Sequence, residues 1–246
     1  MTRTTRALSA LGTAVLAAGL LAGCATGTPG GDVSAPVGSA PSADVDLATD
    51  IEVDAAWLDG GRMIGIVTQG SSTCVPTAEE ATFANGVIDV TFVEPDAGTP
   101  CTRDLVPRVT LVATPEGVDP TQDVDIRVTG ESYVGDADLD GEAGLVVGGE
   151  TDYLPSAGWT DEDGLFVILT WGSSTCVPVL ETVAASGPAE VTATFAEPEA
   201  DQPCTMDMAP RGTVAYVDDL DEDDDISLVL QGGEFDNVRI PIIGSD

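Results

Sequence analysis

Gly70-Ser71-Ser72-Thr73-Cys74-Val75-Pro76 is written a second time, residue for residue, as Gly172-Ser173-Ser174-Thr175-Cys176-Val177-Pro178. A second block follows each copy. Pro100-Cys101-Thr102-Arg103-Asp104-Leu105-Val106-Pro107-Arg108 is matched by Pro203-Cys204-Thr205-Met206-Asp207-Met208-Ala209-Pro210-Arg211. The correspondence reaches further out, to Trp57 with Trp159, Gly130 with Gly232 and Tyr133 with Phe235. A chain that repeats its punctuation and its aromatic positions at a nearly constant offset is a duplicated module.

The segments between these blocks alternate with period two. Val124, Ile126 and Val128 interleave with Asp125, Arg127 and Thr129, and Ile226, Leu228 and Leu230 repeat that face. Ile88, Val90 and Phe92, and likewise Val191, Ala193 and Phe195, follow the same rule. Such alternation marks half-buried strands. Residues 62–69 and 164–171 are apolar without alternation, as expected of strands covered on both faces. Asn85-Gly86 reads as a hairpin turn and Ser186-Gly187 as its counterpart. A short helical turn has room only at 77–81 or 179–183. The expected fold is all-β: two tandem antiparallel β-sandwich or barrel-like modules, over 51–135 and 150–246, each with its own core and joined by an acidic connector, 136–149.

Cys74 and Cys101 fall in the first copy, Cys176 and Cys204 in the second, so pairing is expected within copies. Each bridge would close a loop worth about 3.5 kcal/mol in chain entropy. The chain has no histidine, and no CxxC spacing occurs, so a soft metal site is not expected.

The first 24 residues have the form of a secretion signal. Arg3 and Arg6 precede a run of small apolar residues from Ala7 to Ala22, too short for a membrane span. It ends in Leu21-Ala22-Gly23-Cys24, which resembles the lipobox of bacterial lipoproteins. With the repeated Gly-Ser-Ser-x-Cys and Cys-Thr-x-Asp-x-x-Pro blocks, the chain resembles exported lipoproteins of Gram-positive, actinobacterial type. That resemblance implies cleavage before Cys24, a diacylglyceryl group on its thiol and a place on the extracytoplasmic face of the cell membrane. Cys24 is also the odd cysteine of five, and a lipid on it would leave no free thiol in an oxidising compartment. Residues 25–50, rich in Gly, Ala, Ser and Pro, read as a flexible tether.

The formal charge is −35, and loss of Arg3 and Arg6 with the signal takes it to −37. A surface this acidic repels nucleic acid and anionic headgroups, so neither is an expected partner. Its general effect is solubility; cationic polymers and divalent cations are the partners it attracts.

Several residue groups are candidates for a site. Ser173 and Ser174, with Asp207 and Arg211 behind the second cysteine, would serve as ligand contacts or as turn-satisfying groups. Trp171 stands where the first copy has Gln69, and would stack on a carbohydrate or peptide ligand or cover the disulfide. Asp136, Asp138 and Asp140, followed by Gly141, match the opening of a calcium loop, although its twelfth position is Val147. The acidic run 218–225 reads as a solvated loop. No serine nucleophile is expected, since neither histidine nor lysine is present to act as base. Glu94 and Glu197 share a Phe-x-Glu-Pro context that a turn explains. The leading expectation is a lipid-anchored, non-catalytic surface protein that binds an envelope protein or wall polymer. The alternatives are a calcium-linked pair of domains and, behind it, a carboxylate-based glycoside hydrolase.

Overall fold

The computed structural model describes residues 48–131, 133–218, 220 and 225–244. The signal, Cys24, most of the tether and most of the acidic run at 218–225 lie outside the described residues. All that is described belongs to one compact unit, Val45–Asp246, and its regular elements are strands apart from one 3-10 turn.

In the first copy these are β1 (Thr49–Asp50), β2 (Val53–Leu58), β3 (Met63–Gly70), β4 (Thr77–Ala78), β5 (Thr82–Ala84), β6 (Val87–Val93), β7 (Val106–Ala113), β8 (Val124–Thr129) and β9 (Tyr133–Leu139). The second has β10 (Ser156–Trp159), β11 (Leu165–Gly172), β12 (Leu180–Gly187), β13 (Glu190–Phe195), β14 (Ala209–Tyr216), β15 (Ser227–Gly232) and β16 (Phe235–Ile243). A 3-10 turn, Asp59–Gly61, joins β2 to β3.

The first copy divides into a three-stranded sheet, β2-β3-β7, and a six-stranded sheet, β1-β9-β8-β6-β4 with β5 on β6. Both line one hydrophobic cluster, with Trp57, Ile64 and Ile66 from one sheet and Ile88, Val90, Ile126 and Val128 from the other. The second copy repeats this with Trp159, Phe166 and Ile168 against Val191, Phe195, Leu228 and Leu230. There the long β16 runs on past Pro241 and pairs with β10, which joins all seven strands into one sheet, β12-β13-β15-β16-β10-β11-β14.

A third cluster was not expected from two self-contained modules. Ala56, Leu58 and Val67 of the first copy pack against Leu165, Val167 and Leu169 of the second. The outward faces of β2-β3-β7 and β10-β11-β14 are therefore buried on each other. This explains why β3 and β11 carry near-continuous apolar runs: each has one face on its own copy's core and one on the other copy. Burying a side chain such as Leu58 or Leu169 stabilises by about 1.5–3 kcal/mol, so the copies hold each other as well as themselves.

Small residues let the two faces meet. A Cβ on Gly65 would stand 3.1 Å from Val167 Cγ1, and one on Gly212 only 2.7 Å from Val109 Cγ1. These are corresponding positions: Gly65 aligns with Val167, and Val109 with Gly212. Where one copy has lost a side chain, the other supplies one. Asp59 N donates to Ser156 Oγ at 2.8 Å, while a Cβ on Gly158 would meet the Trp57 carbonyl oxygen. Residue numbers thus rise along β2 as they fall along β10, so these facing strands run in opposite directions.

Several expectations need correction. The sheets are mixed rather than antiparallel, because β6 pairs parallel with β8 and β13 with β15. Between the paired strands the chain runs through a strand that pairs with neither, β7 in the three-stranded sheet or β14 at the far end of the seven-stranded one, and returns in the original direction. The first copy extends beyond both expected limits: Thr49–Asp50 pairs with β9 instead of ending the tether, and β9 runs to Leu139. The candidate helical turns are strands, β4 and the start of β12. Asn85 and Gly86, at φ 55° and 87°, turn β5 into β6 as expected. The second hairpin turns instead at Pro188-Ala189, since Gly187 pairs with Glu190.

Candidate functional site

Bridges Cys74–Cys101 and Cys176–Cys204 form within copies, as expected, each with Cα atoms 5.5 Å apart. Each fastens the loop leaving β3 or β11 to the loop entering β7 or β14, strands that are already paired along their length.

Around each bridge the conserved spacing of the two blocks assembles the same hydroxyl cluster. Ser173, Ser174 and Thr175 all bring their side-chain oxygens to Thr205 Oγ1, at 2.8, 3.3 and 3.4 Å. Thr205 N donates to Thr175 Oγ1 at 3.1 Å, and Ser174 N to Asp207 Oδ1 at 3.1 Å. Thr205 Oγ1 also donates to Asp207 Oδ1. Ser71, Ser72, Thr73, Thr102 and Asp104 repeat the arrangement. Hydrogen bonds from Ser174 and Thr205 hold the Asp207 carboxyl down at about 2, and those from Ser72 and Thr102 do the same for Asp104. Two short side chains and a carboxylate thus satisfy turn amides that neither sheet reaches.

The arginines lie behind the cluster. Arg211 is only 5% exposed. Its Nη1 donates to the Cys176 carbonyl at 3.1 Å, and its Nη2 to the Trp171 carbonyl at 2.9 Å and to Glu234. Arg108 donates to the Cys74 carbonyl. A Cβ on Gly70 would fall 2.3 Å from Arg108 Cζ, and one on Gly172 2.7 Å from Arg211 Nη1. The leading glycine of each repeated block is therefore the space in which a guanidinium lies. Arg211 straps its loop to β11 and, through Glu234, to the start of β16.

Trp171 packs against the cluster between the copies. Tyr153 meets it edge-on, with ring centroids 5.1 Å apart. Its Nε1 is buried without a hydrogen-bond partner among the described residues, as are Arg108 Nε and Arg211 Nε. The indole is committed to packing and to Tyr153, which leaves less of it for a stacked ligand than an exposed ring would offer.

Asp136 and Asp138 do not sit in a loop. They project from strand β9, opposite Arg127 and Asp125, while Ala137 and Leu139 point into the core. Asp136 Oδ1 lies 3.5 Å from Arg127 Nε. Asp140 follows the strand, and its carbonyl accepts from Trp57 Nε1 at 2.7 Å. Alternate carboxylates on an extended strand stand roughly 6.6 Å apart, whereas a calcium loop curls its first, third and fifth residues around one point. The alternation that places Ala137 and Leu139 inside also produces the Asp-x-Asp-x-Asp pattern.

Four features escaped the sequence reading. In the segments flanking the second bridge Met206 is 102%, Val179 65%, Met208 58% and Val177 48% exposed; the first copy has Arg103, Thr77, Leu105 and Val75 at these positions. Where the copies meet, burial and the nearby Glu162, Glu52 and Asp161 push the Asp54 carboxyl up to about 6. Asp59, buried at the β2–β3 turn, holds Arg62 through two 3.0 Å bonds and accepts from Thr151 Oγ1 at 3.1 Å. A surface cavity of about 460 Å³ opens beside Arg62, lined also by Thr114, Glu116 and Gly148. Glu94 has a structural occupation, since it accepts the Tyr133 hydroxyl at 2.5 Å; burial, then this bond, raises the Tyr133 pKa.

No protein-family model matches the chain, and no curated protein and no solved structure matches it.

Proposed function

We propose that the chain is an extracytoplasmic lipoprotein, anchored through Cys24, whose two β-sandwich-like modules form a non-catalytic unit that docks an envelope protein. Two bridges in a chain of this size suit an oxidising compartment. The observation that carries the reading is the set of apolar side chains left exposed on either side of the second bridge, Val177, Val179, Met206 and Met208, on a chain of charge −35; the Asp207 carboxylate between the two methionines is taken up by Ser174 and Thr205. Exposed methionines are adaptable contact side chains for apolar protein surface. A sugar polymer would call instead for an open aromatic platform, and Trp171 is engaged by Tyr153. The acidic surface steers a basic partner, and the exposed apolar side chains supply the contact.

The test is binding of the purified protein to washed envelopes, with and without the double substitution Met206→Asp and Met208→Asp. A loss of tenfold or more is expected, abolished beforehand if the envelopes are digested with protease. Equal binding by the variant, or binding that survives digestion, refutes the reading. Cys24→Ala separately tests the anchor, with release of the protein into the medium as the expected result.

A further inference from the structure

Among the described residues the seven-stranded sheet ends on β12, Leu180–Gly187, which pairs with β13 along one edge only. From Thr182 to Gly187 this strand carries no charge, on a chain with 43 acidic residues. Thr182, Ala184, Ala185 and Ser186 are small and exposed. Proteins blunt such edges with short strands, charges or proline. The first copy does so at the corresponding place, where the edge is cut into two-residue β4 and three-residue β5 with Glu79 and Glu80 between them. At the opposite end of the sheet β14 carries Pro210. On β12 irregularities confine themselves to Leu180/Thr182 and Ala185/Gly187, leaving Thr182–Ala185 in regular register.

The open edge demands a partner with an extended backbone, and its neutrality selects a strand that is itself neutral. We infer that the occupant is β12 of a second copy of this chain, paired antiparallel about a two-fold axis normal to the sheet. Such an axis keeps each face on its own side. Val183 and Ala185 lie across from buried Ala193 and Val191, whereas Thr182 and Ala184 lie across from Thr194 and Thr192 on the outer face. A register centred on Ala184 respects this. It sets Val183 against Ala185, Thr182 against Ser186 and Glu181 against Gly187, so like charges never oppose and two hydroxyls meet. Long-range repulsion between the acidic bodies remains, and salt screens it beyond about 8 Å at physiological ionic strength. The pair therefore strengthens with added salt.

Directly opposed residues in an antiparallel pair have Cα atoms about 4.5–5.5 Å apart, which a disulfide spans. In protein carrying Cys24→Ser, Ala184→Cys on the axis is expected to give a covalent dimer under mild oxidation. Thr182→Cys, about 13 Å from its own mate in this register, is expected to cross-link at least tenfold more slowly. Sedimentation of the parent protein should show a dimer that gains population between 20 mM and 500 mM salt and disappears in Ala184→Asp. Absence of any dimer, equal cross-linking at 182 and 184, or a dimer that persists in Ala184→Asp each overturns the inference.

Discussion

Gly212→Ala tests whether the two copies are fitted to each other or merely in contact. The added methyl would sit 2.7 Å from Val109 Cγ1 and 3.2 Å from Leu111 Cδ2. Carbon atoms settle at about 3.5–4.0 Å, so one side must yield by about 1 Å. Val109 is a β-branched residue on a paired strand, with little freedom at χ1. Overpacking of this kind costs about 1–3 kcal/mol, and removing a strand glycine returns about 0.5–1 kcal/mol. The net loss is about 1–2 kcal/mol. For a unit of this size each kcal/mol moves Tm by about 2–4 °C, so a drop of roughly 3–6 °C is expected by calorimetry. Val109→Ala removes the obstructing methyls and costs about 1–2 kcal/mol on its own. The double variant should be no less stable than Val109→Ala alone, a coupling of about 1–2 kcal/mol. Gly98→Ala, with open space around its added Cβ, should leave Tm unchanged. Strict additivity of Gly212→Ala and Val109→Ala, or an unchanged Tm in Gly212→Ala, would refute the fitted interface.

Replacing Cys176 and Cys204 together by Ser should lower stability by about 3.5 kcal/mol, read from urea unfolding; a loss under 1 kcal/mol would show that the strand pairing alone closes the loop. Arg211→Lys keeps the charge but reaches at most one of three acceptors, the carbonyls of Cys176 and Trp171 and the Glu234 carboxylate. A loss of about 2–3 kcal/mol is expected, measured by the same unfolding curves, and wild-type stability would contradict the strap. Stability should also follow pH with two opposite slopes. Asp54 titrates at about 6 folded against 3.8 as its ordinary value, so the folded chain holds the extra proton, and stability rises as pH falls from about 6 to 4. Asp104 and Asp207, held at about 2, contribute stability that is lost as pH falls below about 4. Asp54→Asn should flatten the first slope in Tm measured from pH 7 to 4 and leave the second.

What the sequence made legible were features written in short range. Alternation located β6, β8, β13 and β15, because side chains on a strand must choose a face every second residue. The repeated cysteines located both bridges, because a duplicated module brings its own pairs. The same alternation writes the Asp-x-Asp-x-Asp pattern: Asp136 and Asp138 face outward on β9 and Asp140 follows it, with the inward Ala137 and Leu139 standing as the spacers of a ligand motif. Features that depend on what lies across an interface were not legible. Gly65 and Gly212 look like ordinary strand glycines until Val167 and Val109 are placed opposite them. Trp171 reads as a ligand platform or a cover for its disulfide until Tyr153, eighteen residues earlier, meets its ring.

Those misses share a cause that bears on the duplication itself. Identical residues in the two copies, the Gly-Ser-Ser-Thr-Cys blocks with Thr102 or Thr205 and Asp104 or Asp207, serve each copy's own loop and carry the same bonds in both. Two kinds of difference bear on the fold and its surface. Gly65 against Val167 and Val109 against Gly212 differ because the copies face each other, so that a void in one is filled by the other. Arg103 against Met206, Thr77 against Val179, and the interrupted β4–β5 edge against continuous β12 differ where the second copy meets solvent. The first class of difference turns two modules into one folded unit. The second places exposed apolar and neutral side chains on one copy of an otherwise strongly acidic chain, and is where the contacts of the proposed partner are to be sought.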